Sequence, residues 1–398
     1  MSKRTPGLYK RPRAGGRHEW HIDKCIRGYG RICESTGTDD EEEANRYLEH
    51  RIKEIRNAVT YGVRPKRTFR QAATKYLETY KDKPGISRQA TAIKDLDPFI
   101  GDKCIDTIYN ETFEPYIKAR RNPPQPGPGE RRRKPHRIGT VNRNLGVVRR
   151  ILNCCARLWR HEETGLTWLA QAPLIQLLED PDARPPYPID WNEQRLLLDE
   201  LAPHLQRMAL FMVNTGLRDQ ELCSLRWSWE RHVPELDSNG IKRSVFLLPR
   251  RRNKNKQPRV VMLNDVAQAI IEDVRGEHPE HVFTWLNTEG VRNRVGRLRN
   301  SGWIQARRRA AARYPAEFGE AAPKGFELLR VHDMRHTFGR RLRAAGVSKE
   351  DRKDLLGHKS RDVTTDYSAA ELLSLLEAVN RITQSRKSPA PTVLRLVA

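Results

Sequence analysis

Apolar positions recur at intervals of three and four along most of the 398 residues, the spacing of amphipathic helices. The N-terminal stretch is the exception. Residues 8–35 read as short polar strands broken by Gly15-Gly16 and by Arg27-Gly-Tyr-Gly30. Thr38-x-x-Glu41 then reads as a capping box that opens a helix with Ala44, Tyr47, Leu48, Ile52 and Ile55 on one face. Glycine, proline and basic residues from Tyr61 to Lys66 mark a linker. Behind it, Thr68-x-x-Gln71 is a second capping box, followed by Phe69, Ala72, Ala73, Tyr76, Leu77 and Tyr80 at helical spacing. Further helices are expected over residues 87–99, 112–119 and 140–159. In the last, Val141, Leu145, Val148, Leu152 and Cys155 form the stripe to be buried, which makes a four-helix unit.

The stretch Asp180-Pro-Asp-Ala-Arg-Pro-Pro-Tyr-Pro188 has the composition of an inter-domain linker. After it, Leu205 to Asn214 reads as an apolar helix stopped at Thr215-Gly216, and a new helix starts near Arg218 with Leu222 and Leu225 facing inward. Ser244 to Pro249 and Arg259 to Leu263 read as paired strands, with a helix over 265–275, a strand over 281–286 and a basic helical segment over 291–313. Gly346 ends the helix that begins near Val331. Ser348-x-x-Asp351 caps the next one, which stops at Leu355-Leu356-Gly357. A last helix, Ala369 to Ile382, carries Leu372, Leu375, Leu376 and Val379 on one face, to be docked either on a neighbouring subunit or on its own core. The expected fold is mainly α and multidomain. It comprises a small α/β module over 1–62, a helical domain over 66–180, an α+β domain with a small antiparallel sheet over 186–385, and a tail over 386–398.

Composition narrows the partner. Charged residues are 31% of the chain and apolar ones 37%, and no stretch approaches the run of about 20 apolar residues that a membrane helix needs. Met-Ser-Lys-Arg-Thr-Pro has no apolar segment behind it to act as a secretion signal, so a cytoplasmic, nucleoid-associated protein is expected. The formal charge of +24 points to a polyanion, with a ribosome-associated or merely basic protein as the plainer alternative. A long basic loop spans residues 120–137 and includes Arg131-Arg-Arg-Lys-Pro-His-Arg137. Arg143, Arg149, Arg150 and Arg157 add charge along the fourth helix, and Arg292, Arg294, Arg297, Arg299, Arg307, Arg308, Arg309 and Arg313 along the later segment, where phosphate tracking is expected. The six cysteines lack close metal-ligand pairing, so no zinc site is assigned; separately, no cofactor is expected.

Six side chains carry candidate chemistry. Arg218 sits after a tight corner, where a guanidinium can fork onto two phosphate oxygens; pairing with Glu221 or Asp219 is the plainer role. The basic connection between the paired strands carries Lys254 and Lys256, either of which can reach outward to donate a proton. His332 and Arg335, three apart in Val331-His-Asp-Met-Arg-His-Thr-Phe338, share a helical face, with His336 beside it as packing. His358 follows a helix-ending glycine. Tyr367 is a weak nucleophile unless its surroundings favour attack.

Order, spacing and local context across Arg218 to Tyr367 resemble the tyrosine recombinase or phage integrase family. The matching stretches are Thr-Gly-Leu-Arg218-Asp-Gln-Glu-Leu, His332-Asp-Met-Arg335-His-Thr-Phe, Leu-Leu-Gly-His358-Lys-Ser and Tyr367. The resemblance implies a helical core-binding domain, a catalytic domain and a site-specific DNA recombinase. Its catalytic residues would be Arg218, Lys254 (by spacing to Pro258-Arg-Val-Val-Met-Leu263), His332, Arg335, His358 and Tyr367, with Glu221 as a supporting acid. It also implies a 3′-phosphotyrosyl intermediate, no metal or ATP, and double-stranded attachment sites. A homotetramer on the synapse is implied too, together with an accessory bending or directionality factor. Tyr367 is followed by Ser368-Ala-Ala, without the family's frequent histidine two positions later, and the loop over 120–137 is unusually long. Two other readings stay in view: a catalytically silent DNA-binding or architectural protein with this fold, and an enzyme like the type IB topoisomerases, which relaxes DNA without pairing sites.

Overall fold

The computed structural model describes residues 6–12, 18–123, 134–162, 164–181, 184–238, 240–249, 258–358 and 368–384. The chain divides into two units, residues 1–183 and 184–398. No helix among the described residues is long and apolar enough to cross a membrane.

The first unit begins with an antiparallel sheet of β1 (Leu8–Pro12), β2 (His18–Ile26) and β3 (Gly30–Ser35), covered by α1 (Glu41–Tyr61). Trp20, Ile22 and Ile26 alternate onto one face of β2, where Ala44, Leu48 and Ile55 of α1 close over them. The expected Thr38 capping box does not form. Asp40 caps α1 instead, accepting from the backbone N–H of Glu42 at 2.7 Å and of Glu43 at 3.0 Å, while Thr38 donates to the Glu43 carboxylate. A charged acceptor two residues nearer the helix outcompetes a hydroxyl.

Four helices follow: α2 (Phe69–Thr79), α3 (Ile86–Ile100), α4 (Glu114–Arg121) and α5 (Ile138–Arg157). Thr68 and Gln71 make the reciprocal capping box expected of them. Val141, Leu145, Val148, Leu152 and Cys155 of α5 are each at most 1% exposed, and they anchor the core that α2–α4 complete. Of the basic positions here, Arg120 pairs with Asp95 and Arg149 donates to the Ile175 carbonyl, so both turn back to the protein; Arg143, Arg150 and Arg157 are exposed. Residues 124–133 of the basic loop lie outside the described residues.

The second unit opens with α6 (Trp191–Glu200), α7 (Pro203–Thr215) and α8 (Asp219–Cys223). An antiparallel sheet of β4 (Glu230–His232), β5 (Ser244–Leu248) and β6 (Arg259–Met262) follows, then α9 (Asp265–Val274) and the pair β7 (Thr284–Leu286) with β8 (Arg292–Arg294). Helices α10 (Ser301–Phe318), α11 (Lys324–Glu327), α12 (Val331–Ala344), α13 (Lys349–Leu356) and α14 (Ala369–Gln384) complete it. The β5–β6 register pairs Val245 with Met262 and Leu248 with Arg259. Residues 250–257 between them, 359–367 before α14 and 385–398 after it lie outside the described residues.

Two expectations change in this unit. The basic segment over 291–313 is not one helix, because residues 292–294 form a strand and α10 starts only at Ser301 behind the Asn300 cap. Much of its charge is also neutralised within the protein: Arg309 and Arg313 pair with Glu200, Arg313 also with Glu317, and Arg292 with Glu277. Arg294, Arg297, Arg299 and Arg308 are exposed. The α14 face settles the second point. Leu375, Leu376, Val379 and Ile382 are buried in its own unit against Phe338, Leu342, Val347 and Leu355, and Asn380 accepts from the Asp265 N–H at 2.9 Å. The helix therefore docks in its own core.

Entry into the second unit is pinned to α12. The buried Asp333 accepts from the backbone N–H of Arg330 at 2.8 Å, which caps α12, and from that of Tyr187 at 3.2 Å; it also pairs with the Arg184 guanidinium. One turn on, Thr337 accepts from the Ile189 N–H at 3.1 Å. Removing one partner of a buried ion pair strands the other charge, so Asp333→Ala is expected to lose about 3–5 kcal/mol of stability. Thr337→Val should lose about 1 kcal/mol. Urea midpoints of the two variants check both.

Candidate phosphate-binding active site

Two helix ends make the site. Helix α7 stops at Gly216 (φ +63°) and α13 at Gly357 (φ +58°), left-handed conformations that disfavour a side chain. Space forbids one as well. A Cβ on Gly216 would lie 2.8 Å from Phe338 Cε1 and closer still to Cδ1, and one on Gly357 2.6 Å from Arg259 Nε.

The turned ends present carbonyls that the helices cannot satisfy themselves. At α13, the Lys353 and Asp354 carbonyls accept from the His358 and Gly357 N–H groups at 2.9 and 2.8 Å. The next three are taken by arginines. Leu355 O accepts from Arg259 Nη2 at 2.6 Å, Leu356 O from Arg335 Nη2, and Gly357 O from Arg218 Nη2 at 3.3 Å. The other amino group of Arg335 donates to Gly216 O, so this side chain ties the ends of α7 and α13 together. Cations are favourable there because the helix dipole leaves partial negative charge at a C-terminus.

One carboxylate sits among these cations. Glu221, 2% exposed, accepts from Arg218 Nη1 at 2.5 Å through one oxygen; through the other it accepts from the Arg218 N–H and Arg259 Nη1, both at 2.9 Å. Burial pushes its carboxyl up, and Arg259 with Arg218 more than reverses this, leaving it below the ordinary range. Arg335 shows the opposite strain: burial, with Arg259 and Arg218 beside it, pushes its guanidinium down to about 9. Among the described residues, three guanidiniums thus gather around one carboxylate that two of them bond, and such clustered positive charge in a low-dielectric setting suits one phosphodiester. The Arg218 side chain, 20% exposed, is the most open of the three, whereas that of Arg259 is 3% exposed.

Histidines border this cluster. Partial desolvation, then His336 and Arg335, hold His332 below the ordinary imidazole value; its ring meets that of His336 edge-on at 4.8 Å. Partial desolvation, then Arg335, Arg218 and Arg259, do the same for His358. Both are exposed and neutral at neutral pH, able to accept a proton.

The structure therefore brings Arg218, Arg335 and His358 to the end of α13, with His332 on the exposed side of α12. Arg218 pairs with Glu221, the plainer of its two anticipated roles, and its side chain remains 20% exposed. Lys254, Lys256 and Tyr367 lie outside the described residues. Arg259, at the edge of a basic stretch, joins the cluster without a role expected from the sequence. Strand alternation holds the signal, since Arg259 and Val261 share a face of β6 and Val261 is core.

Residues 189–372 match the model of the phage integrase family. The integrase of Salmonella phage P22 is 24% identical over 377 residues, spanning 88% of this chain and 88% of that protein. Tyrosine recombinase XerC of Pelobacter propionicus is 28% identical over 185 residues, 45% of this chain and 56% of that protein. Among solved structures, the Tn1549 transposon integrase (residues 82–397) in complex with circular intermediate DNA is 17% identical. That alignment covers 77% of this chain and 94% of that one, with a TM-score of 0.49. The second unit, with its arginines around Glu221, carries a domain of the phage integrase family, and over most of its length the chain is similar to a phage integrase.

Proposed function

We propose that the protein is a site-specific recombinase that cuts and rejoins double-stranded DNA through Tyr367, serving a prophage or integrative element. The observation that carries this reading is the convergence of Arg218 and Arg335 with His358 at the end of α13, inside a domain of this family. Arg218 and Arg335 hold the non-bridging oxygens of the scissile phosphate and stabilise the charge that builds there; His358 hydrogen-bonds the same group. The Tyr367 oxygen forms a bond to phosphorus as the bond to the 5′ oxygen breaks. The phenolic proton passes to His332, and the departing oxygen takes one from Lys254. The product is a 3′-phosphotyrosyl ester and a free 5′-hydroxyl, and reversal with another strand's hydroxyl rejoins the DNA.

Arginines supply the charge neutralisation here, and the ester conserves the bond energy, so the step draws on neither a divalent metal nor ATP. Exchange between two duplexes requires four strand cuts, one tyrosine each, which makes a tetramer of this chain the working assembly. An accessory bending or directionality protein and association with the nucleoid complete the proposed setting.

Tyr367→Phe is expected to bind DNA as the wild type does and to form no denaturation-resistant adduct on a nicked suicide substrate carrying the native junction. An adduct on that variant would assign the nucleophile elsewhere. Cleavage is expected to proceed at an unchanged rate in excess chelator; a strict need for divalent ions counts against the scheme. A supercoil-relaxation assay on plasmids with and without a target site separates recombinase from topoisomerase, and a DNA-binding protein that never yields adduct is the silent alternative.

The pH dependence follows from His332, which must be neutral to take the phenolic proton. Its value lies below the ordinary one, so the neutral form persists as pH falls. The kcat/KM for adduct formation, which reports the free protein, should hold as pH drops through about 6.5 and decline only below it. A decline that begins at or above that pH overturns the assignment.

A further inference from the structure

Arg259 is buried behind the site, with a side chain 3% exposed against 20% for Arg218. It nevertheless touches two things on which the open cations depend. Nη1 holds the Glu221 oxygen that also caps Arg218, and Nη2 holds the Leu355 carbonyl at the end of α13. The rest of α13's end holds Arg335 through Leu356 O and Arg218 through Gly357 O, and His358 follows directly. A single planar fork therefore spans the two bodies between which the phosphate oxygens must fit: the start of α8, with Arg218 and Glu221, and the end of α13.

From this geometry we infer that Arg259 is a positioning residue for strand cleavage, fixing the distance between Arg218 and the α13 end that seats Arg335 and His358. The inference rests on the recombinase reading given above. Three features support it. Gly357 leaves room for the Arg259 side chain where a Cβ would meet Arg259 Nε at 2.6 Å, so the turn and the arginine are fitted to each other. Arg259 occupies one Glu221 oxygen with its own charge, so the carboxylate is shared and does not neutralise Arg218 alone. Finally, Arg259 is the first residue of β6 and pairs with Leu248 of β5, which fastens the β5–β6 pair to α13 as well.

A misplacement of about 1 Å in a reacting constellation can cost on the order of a hundredfold in rate. Loss of the fork should therefore appear in the chemical step, not in DNA affinity. Electrostatics gives a second readout. Glu221 is faced by Arg218 on its own helix, Arg259 on β6 and Arg335 on α12, and His358 by the same three arginines. Without Arg259, burial of Glu221 is offset mainly by Arg218, and His358 loses one repelling cation. Both groups then titrate higher, so that their protonation joins that of His332 in setting the acid limb.

The test is single-turnover adduct formation by full-length protein on a nicked suicide duplex, at saturating DNA and across pH, for wild type, Arg259→Gln and Arg259→Lys. DNA affinity and thermal midpoint are measured alongside, with Tyr367→Phe as the blank. Arg259→Gln is expected to slow the step on the order of ten- to a hundredfold, with unchanged affinity and an acid limb moved to higher pH. Arg259→Lys restores the charge but not the planar fork, so the acid limb should return to the wild-type position while the rate stays reduced. If Arg259→Gln does not fold, the lysine variant decides alone: a slow step at wild-type affinity upholds the inference, and a wild-type rate overturns it. Wild-type rates in both variants, or slowing that only follows lost affinity or lost folded protein with an unmoved acid limb, also overturn it. A wild-type protein that yields no adduct discards the recombinase reading itself.

Discussion

Everything chemically notable in the second unit depends on how an eight-residue helix ends. The last carbonyls of α13 lack helical partners, and the turn at Gly357 points them at guanidiniums instead of water. Each arginine satisfies a carbonyl that would otherwise be stranded, and each carbonyl lowers the electrostatic cost of gathering like charges. Among the described residues, Glu221 supplies the negative charge that Arg218 and Arg259 share.

Sequence reasoning reached much of this because the motifs are local. Gly216 and Gly357 stand at the end of apolar helical runs, where a left-handed stop is the natural reading, and both adopt it. The stripe on α5 and the β5–β6 pairing followed from periodicity alone. Long-range partners were not legible in the same way. No spacing rule connects Arg259 with Leu355, 96 positions apart, or Arg184 with Asp333. Near Thr38 the pattern had two candidate caps, and a serviceable threonine hid the better aspartate. The stretch over 291–313 misled because an arginine-rich segment reads as helical throughout, and Val295 and Leu298, both buried, hold part of it to a different path.

The ion pairs also change what the overall charge means. A total of +24 describes the chain, yet arginines such as Arg195, Arg207, Arg226 and Arg275 face carboxylates on neighbouring elements. Exposed pairs of this sort add little stability. What they do is remove cations from the list of those free to meet a polyanion, leaving positions such as Arg143, Arg150, Arg297 and Arg308 as the exposed charge.

The Asp333 anchor bears on how such a protein can be recombined with others. Residues 184–189 are joined to α12 by side-chain and backbone bonds, so this apparent connector is structurally part of the second unit. A chimera that grafts a foreign DNA-binding half onto this one must splice upstream of Arg184. A junction placed a few residues later would discard the very bonds that hold the His332 helix at its start.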